Sequence, residues 1–184
     1  PLLEAAIKEL ENVPQYQKKQ EEYKLTYGKI ISNMGSYYYQ RKEYEEALKW
    51  HKKALEFRKI SLPDRVMDSY RTIMSDYFCM KQYEKGYETY REAVKKTQPD
   101  ALFLVRAIGC ELCLLKEKKE ENLEKQILEE LPVQIERVVE LAVSNRRMNV
   151  GVLKDLQKKL EELEAWTELQ ELVKEYRTKI EEYL

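Results

Sequence analysis

Residues 38–54 read YYQRKEYEEALKWHKKA, and residues 77–93 read YFCMKQYEKGYETYREA. The two segments lie 39 residues apart and repeat small and ring-bearing side chains at the same offsets. A fixed period of this size indicates helix–turn–helix units that cannot bury their own apolar face and must stack on one another. The repeated positions are Tyr38, Tyr44, Ala47, His51 and Ala54, matched by Tyr77, Tyr83, Gly86, Tyr90 and Ala93.

The composition is typical of a protein built from long helices. Of the 184 residues, 43% are hydrophobic and 36% are charged, and there are only five glycines and five prolines. This length suits one domain or one compact segment of a solenoid. The formal net charge of −1 lacks the basic excess of a nucleic-acid-binding protein. We therefore expect no direct binding of DNA or RNA.

The sequence also bears on the cellular compartment. No apolar run approaches the roughly 18–20 residues that cross a bilayer, so we expect no membrane contact. The three cysteines cannot all pair and do not form a disulfide framework. A reducing, cytoplasmic location is therefore expected. Because the chain opens on Pro1, we expect it to be a segment of a longer protein.

Apolar periodicity and turn residues predict a series of helices. Asp64 is expected to cap the helix that begins at Arg65. Pro132 is expected to start a helix, because the missing N–H of proline is tolerated in a first turn. That helix should end in the polar segment 144–149. The predicted helices cover residues 2–10, 15–41, 44–59, 65–80, 83–96, 101–116, a segment containing 123–131, a segment from 132 to about 143, 150–163 and 166–183.

The repeat resembles the tetratricopeptide repeat, most clearly over residues 28–61 and 67–100, through Gly35, Tyr38, Tyr44, Ala47 and Ala54 in the first unit. The resemblance implies an all-α fold, a superhelical array of antiparallel helix pairs (a tetratricopeptide-like solenoid) within residues 1–149. Residues 150–184 are expected to form a C-terminal capping helical hairpin, because a terminal repeat would otherwise expose its apolar outer face.

Two departures from the family pattern refine this resemblance. The period of 39 residues exceeds the family's usual length of about 34, and Met74 replaces the small residue that the first unit has at Gly35. Stretched, helix-rich repeats look like those of bacterial regulators, among them the peptide-pheromone receptors of Gram-positive bacteria. The resemblance therefore implies the ligand-sensing domain of a regulator.

The sequence offers little that would support catalysis. His51 is the single histidine and falls where the repeat places a packing ring, so we expect a structural role. Cys110 and Cys113 lie within a predicted helix, without the second pair that zinc requires or the turn that redox motifs use. No phosphate-binding loop or hydrolase motif is present. We expect no enzyme activity, no catalytic residue, no metal and no cofactor.

In the resembled architecture, the first helix of each pair lines a concave groove. Arg71 and Arg106 take equivalent positions, and two guanidiniums would favour a carboxylate or an acidic peptide. Alternatively, both arginines pair with nearby acids such as Asp68 or Glu111. The residues expected to bind a peptide are Ser32, Ser36, Tyr39, Arg71, Ser75, Phe78, Phe103 and Arg106, with Cys110 and Cys113 also facing the groove.

Two functions follow from this pattern. The first is a non-enzymatic binding module that holds an extended peptide or protein segment in its groove. The alternative is a structural or oligomerisation scaffold, in which the array mediates assembly of a homodimer or a larger complex. Measuring molecular mass with and without peptide would separate the two.

Overall fold

The computed structural model describes residues 2–117, 120–144 and 150–184, and all regular secondary structure in these ranges is helical. The chain divides into two compact units, Pro1–Thr97 and Gln98–Leu184. The predicted all-α fold is confirmed. No helix in the described ranges is both long enough and apolar enough to span a membrane.

Unit 1 consists of two stacked helix pairs preceded by two shorter helices. The first pair, α3 and α4, is antiparallel, and so is the second pair, α5 and α6; α4 also packs on α5. This is the arrangement expected of tetratricopeptide-like repeats. The helices are α1 (Leu2–Glu11), α2 (Gln15–Lys18), α3 (Glu21–Gln40), α4 (Tyr44–Ser61), α5 (Val66–Cys79) and α6 (Tyr83–Val94), with a 3-10 helix at Pro63–Arg65.

The 39-residue repeat extends to the backbone of the turns inside the two pairs. Lys42 and Lys81 adopt left-handed φ angles of 63° and 57°. In the first turn, the amide of Glu43 donates to the carbonyl of Tyr38 at 3.0 Å, and the amide of Lys42 donates to the carbonyl of Tyr39 at 2.9 Å. The same two bonds recur in the second turn at 2.9 and 3.0 Å. Both turns are therefore Schellman motifs with lysine in the position that glycine usually takes.

Tyrosines join α1 to the first pair. Their rings enter the core while their hydroxyls bind the end of α1, a combination to which tyrosine is suited. The hydroxyl of Tyr23 donates to the carbonyl of Leu10 at 3.2 Å, and that of Tyr27 donates to Glu11 Oε1 at 3.0 Å. The buried cluster beneath them consists of Ile7, Tyr27, Ile31, Met34 and Ala54.

Two predictions about unit 1 are wrong in detail. The single helix expected over 15–41 is interrupted at Gln20, whose backbone is extended (φ −68°, ψ 140°). Residues 17–22 are polar on every face, so no buried stripe holds a continuous helix there. Asp64 does not cap α5, because it lies inside the 3-10 helix; the capping position falls on Arg65, which makes no side-chain cap bond.

Unit 2 is built from four helices. The carboxylate of Asp100 caps the first of them by accepting a bond from the amide of Phe103 at 2.8 Å. The first helix packs on the second and third, and the fourth packs on the second and third. The helices are α7 (Ala101–Glu117), α8 (Glu121–Ser144), α9 (Val150–Leu163) and α10 (Gln170–Glu181), with a 3-10 helix at Thr167–Leu169.

The two helices predicted on either side of Pro132 are one helix, α8. An interior proline costs a helix about 3 kcal/mol through a lost hydrogen bond and a steric clash. Each buried apolar side chain contributes about 1.5–3 kcal/mol, so the apolar face that continues across the proline outweighs this cost. Residues 145–149 of the predicted polar segment lie outside the described ranges. The buried face comprises Ile127, Leu131, Ile135, Val138, Val139 and Ala142.

The last two helices form the predicted hairpin, with a turn before Trp166. Helix α9 also packs on α7, so the hairpin belongs to the same compact unit as α7 and α8. The chain divides between Thr97 and Gln98, and the boundary at residue 149 stays a prediction. The buried residues of the hairpin are Leu153, Leu156, Leu160, Leu163, Leu169, Val173, Tyr176 and Ile180.

Candidate functional site

Six of the predicted site residues form two stripes on unit 1. They are Ser32, Ser36 and Tyr39 on α3, and Arg71, Ser75 and Phe78 on α5. Within each stripe the residues lie four and three apart, which places them on one helix face. The stripes lie side by side: the phenol oxygen of Tyr39 is 3.2 Å from the sulfur of Cys79, and Ser32 and Asp68 line one cavity. We call this surface the α3–α5 face.

One end of the α3–α5 face is aromatic. The ring of Phe78 is 40% exposed, and that of Tyr39 is half-buried. Each ring is held by an edge contact to the tyrosine at the start of the next helix. The centroid distance is 5.4 Å both for Tyr39 with Tyr44 and for Phe78 with Tyr83. These contacts restrain the rings, so this end offers a pre-organised apolar surface.

Arg71 lies on the same stripe but has an acidic partner. Its Nη2 donates to Asp68 Oδ1 at 2.6 Å, as expected if Arg71 pairs with a nearby acid. The two side chains are 26% and 39% exposed, so solvent reaches both. The hydroxyl of Ser75 donates to the carbonyl of Arg71 at 2.9 Å. An anion that approaches Arg71 must therefore compete with Asp68.

At the other end of the face, a cavity of about 320 Å³ opens between α3 and the end of α4. Three cationic side chains and one carboxylate line it, and we call it the basic pocket. Its most buried charge is Arg58, which is 9% exposed and whose Nη1 donates to Ser69 Oγ at 2.8 Å. The lining residues are Leu25, Gly28, Lys29, Ser32, Asn33, Arg58, Leu62, Arg65 and Asp68.

Arg58, Arg65 and Lys29 are absent from the predicted site. Arg58 belongs to the second helix of its pair, whereas the predicted site residues lie on first helices. One signal in the sequence could have revealed it: Arg58 follows Ala47, His51 and Ala54 at helical spacing, on the buried face of α4. A charged residue on an apolar stripe is uncommon without a specific partner.

His51 is buried between the helices of unit 1, in keeping with the expected structural role. Its Nδ1 lies 2.6 Å from Asp76 Oδ2, and the two side chains are 2% and 0% exposed. Burial raises the pKa of the Asp76 carboxyl, and the bond to His51 opposes this increase. A Cβ atom at Gly35 would overlap the imidazole ring, so glycine is required there. The pair thus joins α4 to α5 beneath α3.

The remaining predicted site residues belong to unit 2. The ring of Phe103 is fully buried and offers no surface to a ligand, and Arg106 is half-buried. Glu111, considered from the sequence as an acidic partner, is fully buried and accepts a bond from Nε2 of Gln134 at 2.6 Å. Burial raises the pKa of Glu111 to about 8, so its carboxyl is predominantly neutral at pH 7.

The cysteines of α7 are not joined to each other or to Cys79 by a disulfide. Burial raises the pKa of Cys110 to about 12, which keeps this thiol protonated and poorly reactive. Cys113 is half-buried one turn later. In the ranges that the structure describes, no three His, Cys, Asp or Glu side chains are arranged to hold a metal ion.

Comparison with known proteins gives one match. Residues 29–65 match a family model described as the tetratricopeptide repeat. The matched segment spans most of α3, all of α4 and the following 3-10 helix, and it therefore contains most of the basic pocket. Repeats of this family are typical of protein–protein interaction modules. No curated protein and no solved structure matches the chain.

Proposed function

We propose that this protein is an interaction module that holds an extended peptide or protein segment on the α3–α5 face. The observation that carries the proposal is the pair of parallel stripes, which combine serines at their centre with restrained aromatic rings at one end. Short serine side chains let a peptide backbone approach and hydrogen-bond to them. Exposed rings then provide the anchoring apolar contact that dominates many peptide interfaces.

We further propose a sensing role in the cytoplasm, in which peptide binding shifts the helix pairs of unit 1 between arrangements. Two features support it. The stretched 39-residue repeat resembles that of bacterial peptide-sensing regulators. The three cysteines form no disulfide with one another, which fits a reducing compartment.

Selection of a random peptide library against the whole chain tests the peptide-binding proposal. Enriched peptides are then labelled, and their affinities for the unmodified chain and for Phe78→Ala are measured by fluorescence anisotropy. Removing an anchoring ring should cost about 1.5–3 kcal/mol, which weakens binding roughly tenfold or more.

Tyr37→Ala provides the matched control. Like Phe78, Tyr37 makes an edge contact with a neighbouring ring, that of Tyr38. It is 43% exposed, close to the 40% of Phe78, but it lies outside the two stripes. This variant should bind enriched peptides as the unmodified chain does. Failure to enrich any peptide, or equal affinities for all three proteins, would count against the proposed function.

The alternative function is a scaffold for homodimer or complex assembly. It is favoured by exposed apolar side chains outside the α3–α5 face, notably Leu2 at 88% and Ile60 at 87% exposure. Single exposed apolar residues are common on monomers, so the peptide-binding function is preferred. Light scattering over a range of protein concentrations decides the point: a stable dimer that excludes peptide supports the scaffold, and a monomer contradicts a homodimeric scaffold.

A further inference from the structure

The basic pocket carries positive charge that its own acid does not balance. Lys29, Arg58 and Arg65 line it together with a single carboxylate, that of Asp68. That carboxylate is also bonded to Arg71, so its charge is not available to the three pocket cations alone. Lys29 and Arg65 form no ion pair with any residue that the structure describes. Such a surplus in a concave site attracts anions.

Among the cations of the pocket, Arg58 gives the clearest reason to expect a bound anion, because its charge is buried. A neutral hydroxyl, that of Ser69, is its hydrogen-bond partner, and its Nε has no acceptor in the described ranges. Burial lowers the pKa of Arg58, and the neighbouring charges of Arg65 and Arg71 lower it further, against the opposing effect of Asp68. A buried charge is unfavourable unless an opposite charge meets it. A bound anion would supply that charge.

The size and the walls of the pocket narrow the choice of anion. Its volume of about 320 Å³ falls at the small end of the range of roughly 300–1,000 Å³ for ligand sites. Leu25 is 45% exposed and Leu62 forms part of the wall, so apolar surface adjoins the cations. Ser32 and Asn33 add hydrogen-bonding groups. A carboxylate with an apolar neighbour suits this combination.

We infer that the basic pocket binds an oxyanion, and that this oxyanion is the carboxylate of an acidic peptide with an adjacent apolar side chain. Arg58 supplies the buried positive charge for the carboxylate, while Arg65 and Lys29 attract the anion from solvent. This inference rests on the proposed function, because Ser32 belongs both to the pocket and to the α3–α5 face. The carboxylate that the sequence predicts at Arg71 is therefore expected at Arg58 instead.

The test follows the arginine Nε–Hε signals of the whole chain by NMR while three probes are added at constant ionic strength. The probes are inorganic phosphate, a leucyl-glutamate dipeptide blocked at both ends, and the matching leucyl-glutamine dipeptide. The Arg58 signal should shift and saturate with the glutamate dipeptide, and it should stay unchanged with the glutamine dipeptide. Shifts with phosphate alone would mean a free-phosphate site and would overturn the peptide carboxylate.

Variants at exposed positions separate binding from folding. Arg65→Gln and Lys29→Gln should each lower the affinity for the glutamate dipeptide by about threefold to tenfold, since each removes one partly screened charge. Asp68→Asn should strengthen binding several-fold, because it removes the competing carboxylate. Lys95→Gln, an exposed lysine at the end of α6, is the charge-matched control and should change the affinity less than about twofold.

The outcomes also separate this inference from the proposed function. Peptides that are enriched and depend on Phe78, with no Arg58 shift in any titration, would refute the anion pocket and leave the α3–α5 face in place. A saturable Arg58 shift with the glutamate dipeptide, but no enriched peptide, would support the pocket and refute the peptide-binding face. Equal responses to the glutamate and glutamine dipeptides would also refute the pocket.

Discussion

Glu111 shows how burial of one residue couples the stability of unit 2 to pH. Its Oε1 accepts a bond from Gln134, whereas its Oε2 has no partner in the described ranges. Burial raises its pKa from 4.5 to about 8, an effect that the Gln134 bond opposes and Glu130 reinforces. The folded chain therefore holds a proton that the unfolded chain releases above about pH 4.5. Stability should fall as the pH rises from about 4.5 to about 8.

Glu111→Gln should remove this dependence, because the amide imitates the protonated acid. At pH 5 the variant should unfold at nearly the same denaturant concentration as the unmodified chain. At pH 8 it should be more stable by roughly 3–5 kcal/mol, at about 1.4 kcal/mol for each pKa unit. Trp166 fluorescence in a Trp50→Phe background reports unit 2 alone. Equal effects at both pH values, or the same response in the exposed control Glu129→Gln, would contradict this account.

Gly35 provides a second prediction from a single residue. Its missing side chain makes room for His51, so Gly35→Ala should push the imidazole away from Asp76 and leave a buried carboxyl without its bond. The expected loss of stability is about 2–4 kcal/mol, from steric strain and the broken bond together. Denaturant unfolding followed by Trp50 fluorescence, in a Trp166→Phe background, measures it.

Gly151→Ala is the matched control for this substitution. A Cβ atom at Gly151 meets nothing within 4 Å, and alanine favours a helix over glycine by up to about 1 kcal/mol. The stability of unit 2 should therefore stay the same or rise slightly. A Gly35→Ala variant that unfolds like the unmodified chain would show that the imidazole has space to move.

The site illustrates what the sequence can and cannot predict at this scale. Helical spacing predicts two stripes on α3 and α5, because residues four and three apart share a helix face. The pairing of His51 with Asp76 and the placing of Arg58 beside Arg65 depend on how separate helices pack. Spacing within one helix carries no information about such contacts, so these features emerged only from the tertiary structure.

The turns within the two helix pairs of unit 1 each contain a lysine in a left-handed, strained backbone conformation. A left-handed residue with a side chain is less stable than glycine by about 1–2 kcal/mol, and the greater freedom of glycine in the unfolded chain offsets part of that difference. Lys42→Gly and Lys81→Gly should each stabilise unit 1 by about 0.5–1 kcal/mol. Unfolding followed through Trp50 tests this, with Lys42→Ala as a control that retains the strain. Loss of stability in both glycine variants would contradict it.

The helices themselves were largely predictable, and the exceptions share one cause. Strong periodicity correctly predicted α4, α5 and α9 to within a few residues. The sequence failed at Gln20, where a polar run offered no buried face, and at Pro132, where a local helix breaker was overridden by a continuous buried face. Helix propensity changes the stability of a helix by a few kcal/mol at most. The burial of several apolar side chains contributes more, so burial determines where a helix continues or ends when the two disagree.

At the scale of the whole molecule, the stability of unit 2 depends on its last helix. Four residues of the C-terminal segment are buried, at 0–6% exposure, and α10 packs on both α8 and α9. At about 1.5–3 kcal/mol each, their burial contributes roughly 6–12 kcal/mol. That sum is as large as the entire stability of a typical domain, about 5–15 kcal/mol. These residues are Leu169, Val173, Tyr176 and Ile180.

Substitution of Ile180 tests how much α10 contributes to the stability of unit 2. Ile180→Ala should destabilise unit 2 by about 2–5 kcal/mol, because its side chain is fully buried. Lys174→Ala, at an exposed position on the same helix, should change stability by no more than about 0.5 kcal/mol. Denaturant unfolding followed through Trp166 in the Trp50→Phe background compares the two variants.

Deletion of residues 166–184 removes α10 completely and tests whether unit 2 folds without it. Without the burial that α10 provides, α8 and α9 expose their apolar faces, so the truncated chain should aggregate or lose cooperative unfolding in circular dichroism and light scattering. A soluble monomer of unchanged stability would show that α10 is not a cap. A full-length dimer that becomes a folded monomer on truncation would instead identify this segment, where Tyr183 is 48% exposed, as a subunit interface.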